Sequence, residues 1–449
     1  MTVPRGWPTL ASAHGLMAVV LARGGTPPRR LASGSWRLNL IRRSLRMMGR
    51  GPLPTCATIL TARNAIRKPW LYSRLGDGWP SAWPKQQSSQ SNWRLASPDM
   101  SGCRISDELK IAGIPSVALE NSHIRVVVLA GKGSDIYEFR HKPSGIDLLW
   151  KTPWGVTNPQ TYVQDTPGTS PAFLDLYPGG WQELFPNAGG SCTYKGAALG
   201  FHGEVCKVPW EYRITERSSK RVSVKFSVRT VRTPFLLEKT LALEKDSPTL
   251  ILEETVSNQG AEPMDFMWGH HPAFGAPFLS EHCRLFVPAK SVEVSHAIPG
   301  QILTPEARFE SFPVVKTADG RDFDLSRMRP PCESIASLTY LTITDGWYCL
   351  VNEQTRLGFA LRWDVEVFRY VWLWEEFCGT RQYPWWGRGY VVGIEPQSSI
   401  PELGLREAIA RGTQLCLQPG AKLSTRICAS LFTAHGEPKG VDWDGRVRY

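Results

Sequence analysis

From Arg104 onward, apolar and polar residues alternate one by one in short runs separated by turn residues, and alternation of this kind makes one face of an extended strand greasy and the other wet. Between Arg221 and Thr230 the pattern is cleanest, with Val222, Val224, Phe226 and Val228 set against Arg221, Ser223, Lys225, Ser227 and Arg229. Phe235, Leu237, Leu241 and Leu243 continue the period across Lys239. Lys245-Asp246-Ser247-Pro248 reads as a turn, and Leu250 to Val256 as the next strand. A last alternating run, Leu423 to Leu431, follows the turn Pro419-Gly420. Helix signals are scarce. The best is Pro401 to Arg411, where Ser399 and Glu402 have capping-box spacing and Gly412 stands at the stop. Gly131-Lys132-Gly133 lacks the pattern of a phosphate-cradling loop, and no internal repeat recurs at a fixed period. The expected fold class is all-β, a large antiparallel sandwich with very little helix.

Composition matters chiefly through its distribution. The formal charge of +11 would suit a nucleic-acid binder, but residues 1–104 carry 16 Lys and Arg against only Asp77 and Asp99, and the rest of the chain carries 36 basic against 39 acidic residues. A nearly neutral body offers no duplex-binding face. The first 104 residues are rich in Arg, Ser, Pro and Gly without sustained periodicity, and are expected to be a disordered extension. Leu10 to Ala22 makes a poor secretion signal, and three readings stay open: an inert extension or wrongly chosen start, an organelle-targeting segment, and a binding tail. No run of 18 apolar residues is present, so no membrane span is expected. The ten cysteines form no C-x-x-C pair and no finger-like spacing with histidine, which argues for reduced thiols in a cytoplasmic protein and against a zinc site.

Four segments depart from the alternation and concentrate reactive side chains. They are Tyr177-Pro178-Gly179-Gly180-Trp181-Gln182-Glu183-Leu184-Phe185-Pro186-Asn187, Leu199-Gly200-Phe201-His202-Gly203-Glu204, Trp268-Gly269-His270-His271-Pro272-Ala273-Phe274, and Val392-Gly393-Ile394-Glu395-Pro396. Taken in this order the chain resembles the aldose 1-epimerase (galactose mutarotase-like) family, in which an F-P-N segment precedes an H-G histidine, an H-P-x-F histidine lies mid-chain and an E-P glutamate comes late. The opening strand from Leu119-Glu120-Asn121 through Val128, and Leu417-Gln418-Pro419-Gly420 before the last strand, match as well. The resemblance runs from about Ile105 to Phe432. It implies a mutarotase-type β-supersandwich over residues 105–436, between the extension 1–104 and a short tail 437–449.

The implied activity is cofactor-independent epimerisation at the anomeric carbon of an aldose or related sugar, with Glu395, His271 and His202 as catalytic residues. A base takes the proton of the C1 hydroxyl while an acid protonates the ring oxygen. A carboxylate at Glu395, presented by Pro396, suits the base. His271, with an ordinary imidazole pKa of about 6.5, suits the acid. His202 is the second histidine near the ring oxygen. Since strand neighbours point to opposite faces, only one of His270 and His271 can face the sugar, and the H-P-x-F pattern selects His271, leaving His270 a secondary contact. Asn187, Gln182 and Glu183 are expected to supply polar contacts, and Trp181, Trp268 and Trp374 to offer platforms for sugar C–H faces.

Ala188 stands where family members carry a sugar-holding arginine. Asp345 is the better match for the family's sugar-binding aspartate, Asp324 a poorer one. No metal is expected. Preference for a phosphorylated sugar would need basic residues at the rim, for which Lys195, Arg381 and Arg388 are candidates. Two other classes stay open: a carbohydrate sensor that kept the fold and lost turnover, and a glycoside hydrolase using Glu183 and Glu395 as paired carboxylates. The sequence leaves the oligomeric state undetermined.

Overall fold

The computed structural model describes residues 102–165 and 167–449, which belong to one compact unit. The extension assigned to residues 1–104, including Leu10 to Ala22, lies outside the described residues up to Ser101. Two large antiparallel sheets dominate what is described, with only two α-helices, Thr169–Leu174 and Leu405–Arg411.

The alternating runs become the eight-stranded sheet. Its order is Glu211–Arg217, Arg221–Arg229, Phe235–Glu244, Thr249–Asn258, Lys422–Thr433, Leu357–Trp363, Trp347–Asn352, Cys283–Phe286. The first four strands form the expected meander, with Val224 paired to Leu241 and Leu241 to Leu252. Val222, Val224 and Phe226 are fully buried, each burial contributing about 1.5–3 kcal/mol. The apolar face of this sheet packs on the inner face of the second sheet. Phe185 meets Phe235 edge-on at 5.1 Å and Phe266 at 5.5 Å in the resulting core.

The twelve-stranded sheet positions the site. At its centre lie, in order, Asp135–His141, Trp181–Leu184, Gly269–Gly275, Tyr390–Gln397, Tyr370–Phe377 and Ile335–Ile343. All of these pairs are antiparallel.

Some local expectations are corrected. The opening run is a hairpin, Val117–Glu120 and Ile124–Leu129, because Asn121 turns the chain: its Oδ1 accepts from the N–H groups of His123 and Ile124, and its Nδ2 donates to the carbonyls of Glu244 and Ser247. The late helix begins at Leu405, not Pro401, and the Ser399/Glu402 spacing is unused as a capping box. Gly404 is its N-cap residue, and Gly412 ends it in the left-handed region at φ 69°. Residues 437–449 contain a short hairpin, Gly440–Val441 with Val447–Arg448, and Val441 is buried beside Trp347, Val351 and Ala434. The nine described cysteines are free; five are buried, while Cys332 and Cys416 are exposed. Among the described residues no helix is long and apolar enough to cross a membrane.

Candidate active site

Strand register assembles the site. Gly269–Gly275 pairs with Tyr390–Gln397 at Gly269/Gln397 and again at Ala273/Gly393, which sets His271 opposite Glu395. Between those pairs the ladder is interrupted, and the two residues beside the facing pair, Pro272 and Pro396, have no N–H to give. On the far side Glu395 pairs with Trp372, and Gly393 with Trp374. Residues directly opposed across strands share a face, so His271, Glu395 and Trp372 form one row and Ala273, Gly393 and Trp374 the next.

Over this row lies a cavity of about 310 Å³, lined by His202, His271, Glu395, Glu376, Glu402 and Thr380 among aromatic walls that include Phe173, Tyr177, Phe201, Trp372, Trp374 and Trp385. That volume is at the small end of the usual range for ligand pockets, about 300–1,000 Å³. No Lys or Arg lines it.

His271 Nε2 lies 3.3 Å from Glu395 Oε1. Burial pushes the Glu395 carboxyl well above the usual range, although Gln397 Nε2 donates to its Oε2 at 3.2 Å. Burial likewise pushes His271 down to about 4. Desolvation thus disfavours the charged form of both groups, because neither keeps enough hydration to carry charge cheaply. Gly393 makes room for the carboxylate, since a Cβ there would come within 2.8 Å of Glu395 Oε1.

His202 sits on a tight turn. Its φ of 56° is followed by Gly203 at 74°, where a Cβ would strike the Phe185 carbonyl. The Gly189 N–H donates to His202 Nδ1 at 3.0 Å, so the neutral ring carries its proton on Nε2. Desolvation, the nearby His271 and Lys207 hold His202 well below its ordinary pKa. The two rings are 5.7 Å apart.

Other expected contacts lie elsewhere. His270 is on the opposite face, between the sheets: its Nδ1 accepts from Trp181 Nε1 at 3.1 Å and its Nε2 meets Glu254 Oε2 at 2.9 Å. Glu183 is there too, accepting from Trp268 Nε1 at 2.9 Å and pairing with Lys239 at 3.0 Å. Trp181 and Trp268 thus act as buried donors and do not line the cavity. Gln182 shares His271's row, but its Nε2 is spent on the Gly179 carbonyl (2.6 Å) and Asp135 (3.2 Å). Asn187 is a brace. It donates to the carbonyls of Gly190 and Gly200, each at 2.8 Å, and accepts from the Leu405 N–H at 2.7 Å, the first residue of the late helix.

Asp345 pairs with Arg362 and caps its own turn at Gly346; Asp324 bonds Ser326. Neither lines the cavity, where the added carboxylates are Glu376, held by Thr380, and Glu402, paired with His296. Lys195, Arg381 and Arg388 bind the Pro263 carbonyl, Ser334 and the face of Trp154 respectively. Glu183, Glu254 and His270 are the one described group whose ligand atoms lie close enough to hold a metal, within 4.8 Å of one another. Lys239 and the two indole N–H groups already engage that cluster.

Sequence reasoning missed Glu376, Glu402, Thr380 and Phe173 as cavity residues. The parity of Tyr370–Phe377 gave one signal, since Trp372, Trp374 and Glu376 are every second residue of it.

Residues 111–431 match a family described only as Domain of unknown function (DUF4432). The chain belongs to this family. No curated protein matches it in sequence. Among solved structures it is similar to a "putative aldose 1-epimerase" of Klebsiella pneumoniae (TM-score 0.56, 16% identity, covering 73% of this chain and 83% of that one). It is also similar to the Slr1438 protein of Synechocystis (0.52, 18%, 73% and 99%) and to a second "putative aldose 1-epimerase", from Escherichia coli K12 (0.50, 16%, 72% and 100%). At these identities the likeness is one of fold, and the fold is the mutarotase-type sandwich that the motifs imply.

Proposed function

We propose that this member of the family is a cofactor-independent sugar epimerase acting at the anomeric carbon. The observation that carries the reading is the His271–Glu395 pair, 3.3 Å apart at the floor of an aromatic-lined cavity. A carboxyl group and an imidazole side by side can exchange a proton and so form a matched acid–base pair. In ring opening one group gives a proton to the ring oxygen O5 while the other takes the proton of the C1 hydroxyl, and the C1–O5 bond breaks to leave an aldehyde. Rotation about C1–C2 presents the other carbonyl face. Closure then reverses both transfers, so each group acts once as acid and once as base.

In this scheme Glu395 takes the proton of the C1 hydroxyl and His271 serves the ring oxygen, and the 3.3 Å contact between them lets the pair reset its protons between turnovers. His202, with its proton fixed on Nε2, serves as a hydrogen-bond donor to a ring or hydroxyl oxygen. Trp372, Trp374 and Trp385 offer ring faces to the sugar's C–H surface. Glu183 belongs to the ion pair between the sheets, which removes the carboxylate pair on which the hydrolase reading rested.

The test is kinetic. Freshly dissolved α-anomers of several aldoses, followed by polarimetry or NMR, should reach equilibrium faster with the wild-type protein. Binding without acceleration would mean a sensor, and release of a reducing sugar from a glycoside a hydrolase.

A further inference from the structure

The three histidines at and behind the cavity differ in what touches Nδ1. His202 and His270 each meet a group that can only donate, the Gly189 backbone N–H and the Trp181 indole N–H, so each neutral ring is held as the Nε2–H tautomer. His271 alone meets a hydroxyl: Tyr177 Oη lies 3.4 Å from its Nδ1. A hydroxyl donates and accepts. Tyr177 itself is buried, stacked on Phe173 at 5.3 Å and packed edge-on against His271 at 5.5 Å.

We propose that Tyr177 is a positioning residue whose hydroxyl leaves His271 free to hold or release a proton at Nε2. When Nε2 is bare or the ring is doubly protonated, Nδ1–H donates to Tyr177 Oη; when Nε2 alone carries the proton, Tyr177 O–H donates to Nδ1. One rotation of the hydroxyl accommodates every state that the proposed reaction visits, which a donor-only partner cannot do. The charged or titratable groups facing the pair are Glu395 and His202 beside His271, and the Glu395 and Asp135 carboxylates beside Tyr177. Burial keeps the phenol un-ionised, well above its ordinary range. The catalytic half of this inference rests on the epimerase reading; the tautomer half does not.

The experiment uses the full chain with ¹⁵N-labelled histidine. Long-range ¹H–¹⁵N spectra should show fixed Nε2–H signatures for His202 and His270, and shifts for His271 that respond to pH and to an added aldose. Tyr177→Phe should collapse His271 to the single Nε2–H form. It should also lower kcat at least tenfold with KM changed less than twofold, and move the acid limb of kcat to lower pH, because the imidazolium loses its acceptor. Replacing Tyr177 by 3,5-difluorotyrosine, a stronger donor of nearly the same shape, should bias His271 toward Nε2–H without disturbing the fold. Unchanged His271 nitrogen shifts in both variants overturn the proposal. If the wild type accelerates no aldose, the epimerase reading fails while the nitrogen shifts still decide the role of Tyr177.

Discussion

His271 and Glu395 face each other at an interruption in the ladder between their strands, with 3.3 Å between Nε2 and Oε1. Pro272 and Pro396 flank the gap, and the His271 and Glu395 side chains both line the cavity over it. On the proposed reading, two groups in contact at one reacting centre work as a unit. His271→Asn and Glu395→Gln should each lower kcat by about 10² to 10⁴, and the double variant should be no worse than the poorer single one. Multiplying losses in polarimetric assays would show that the residues act independently.

The same burial sets the pH dependence of folding. Glu395 is raised above its unfolded value of about 4.3, so its contribution to stability is fully present below that pH and is lost as pH climbs toward the raised value. His271 is lowered to about 4 from about 6.5, so its contribution is present above 6.5 and is lost as pH falls. Relative to wild type, Glu395→Gln should gain stability as pH rises above about 4.3, and His271→Asn as pH falls from about 6.5 toward about 4. Urea midpoints measured across that range check both, and differences that ignore pH would contradict the assigned shifts.

Gly393→Ala places a methyl group 2.8 Å from Glu395 Oε1 and 3.2 Å from the Trp374 ring. The carboxylate must move, and a displacement of about 1 Å at a reacting group can cost a hundredfold in rate. Expected are an unchanged circular dichroism spectrum, a kcat lowered by about that factor, and a smaller change in KM. Full activity would mean that the carboxylate position is not critical.

Asn187→Ala separates bracing from binding. The side chain satisfies the carbonyls of Gly190 and Gly200 and a helix N–H from 218 positions away. Losing it should destabilise the fold by about 1–3 kcal/mol through unpaired buried groups, with KM in the surviving folded fraction near the wild-type value. A large KM effect at undiminished stability would return Asn187 to the sugar site.

Much of this arrangement was legible from parity. Alternation in Arg221–Arg229 forecast its buried face because a half-buried strand has little freedom to do otherwise, and the same rule separates His271 from His270. Applied to Trp181–Leu184 it would have done more. Gln182 pairs with His271 and Glu183 with His270, so Trp181 and Glu183 had to lie on the inner face. What parity cannot supply is the partner. Glu402 and Phe173 reach the cavity from loops and a short helix far away in sequence, and Asn187 stood out for a polarity that the backbone consumes. The helix start was misread because a side chain 218 positions away, Asn187, receives the Leu405 N–H in place of a local cap.

Lys422–Thr433, the last long strand of the chain, lies in the interior of its sheet, bonded to Thr249–Asn258 on one side and Leu357–Trp363 on the other. During synthesis the sheet therefore waits as two halves with open edges until almost the whole polypeptide has emerged, the condition under which nascent chains stick to one another. A ribosome stalled or a message cut shortly before codon 422 would release a product unable to close its own gap, so truncation near the end should be far more damaging to solubility than its short length suggests.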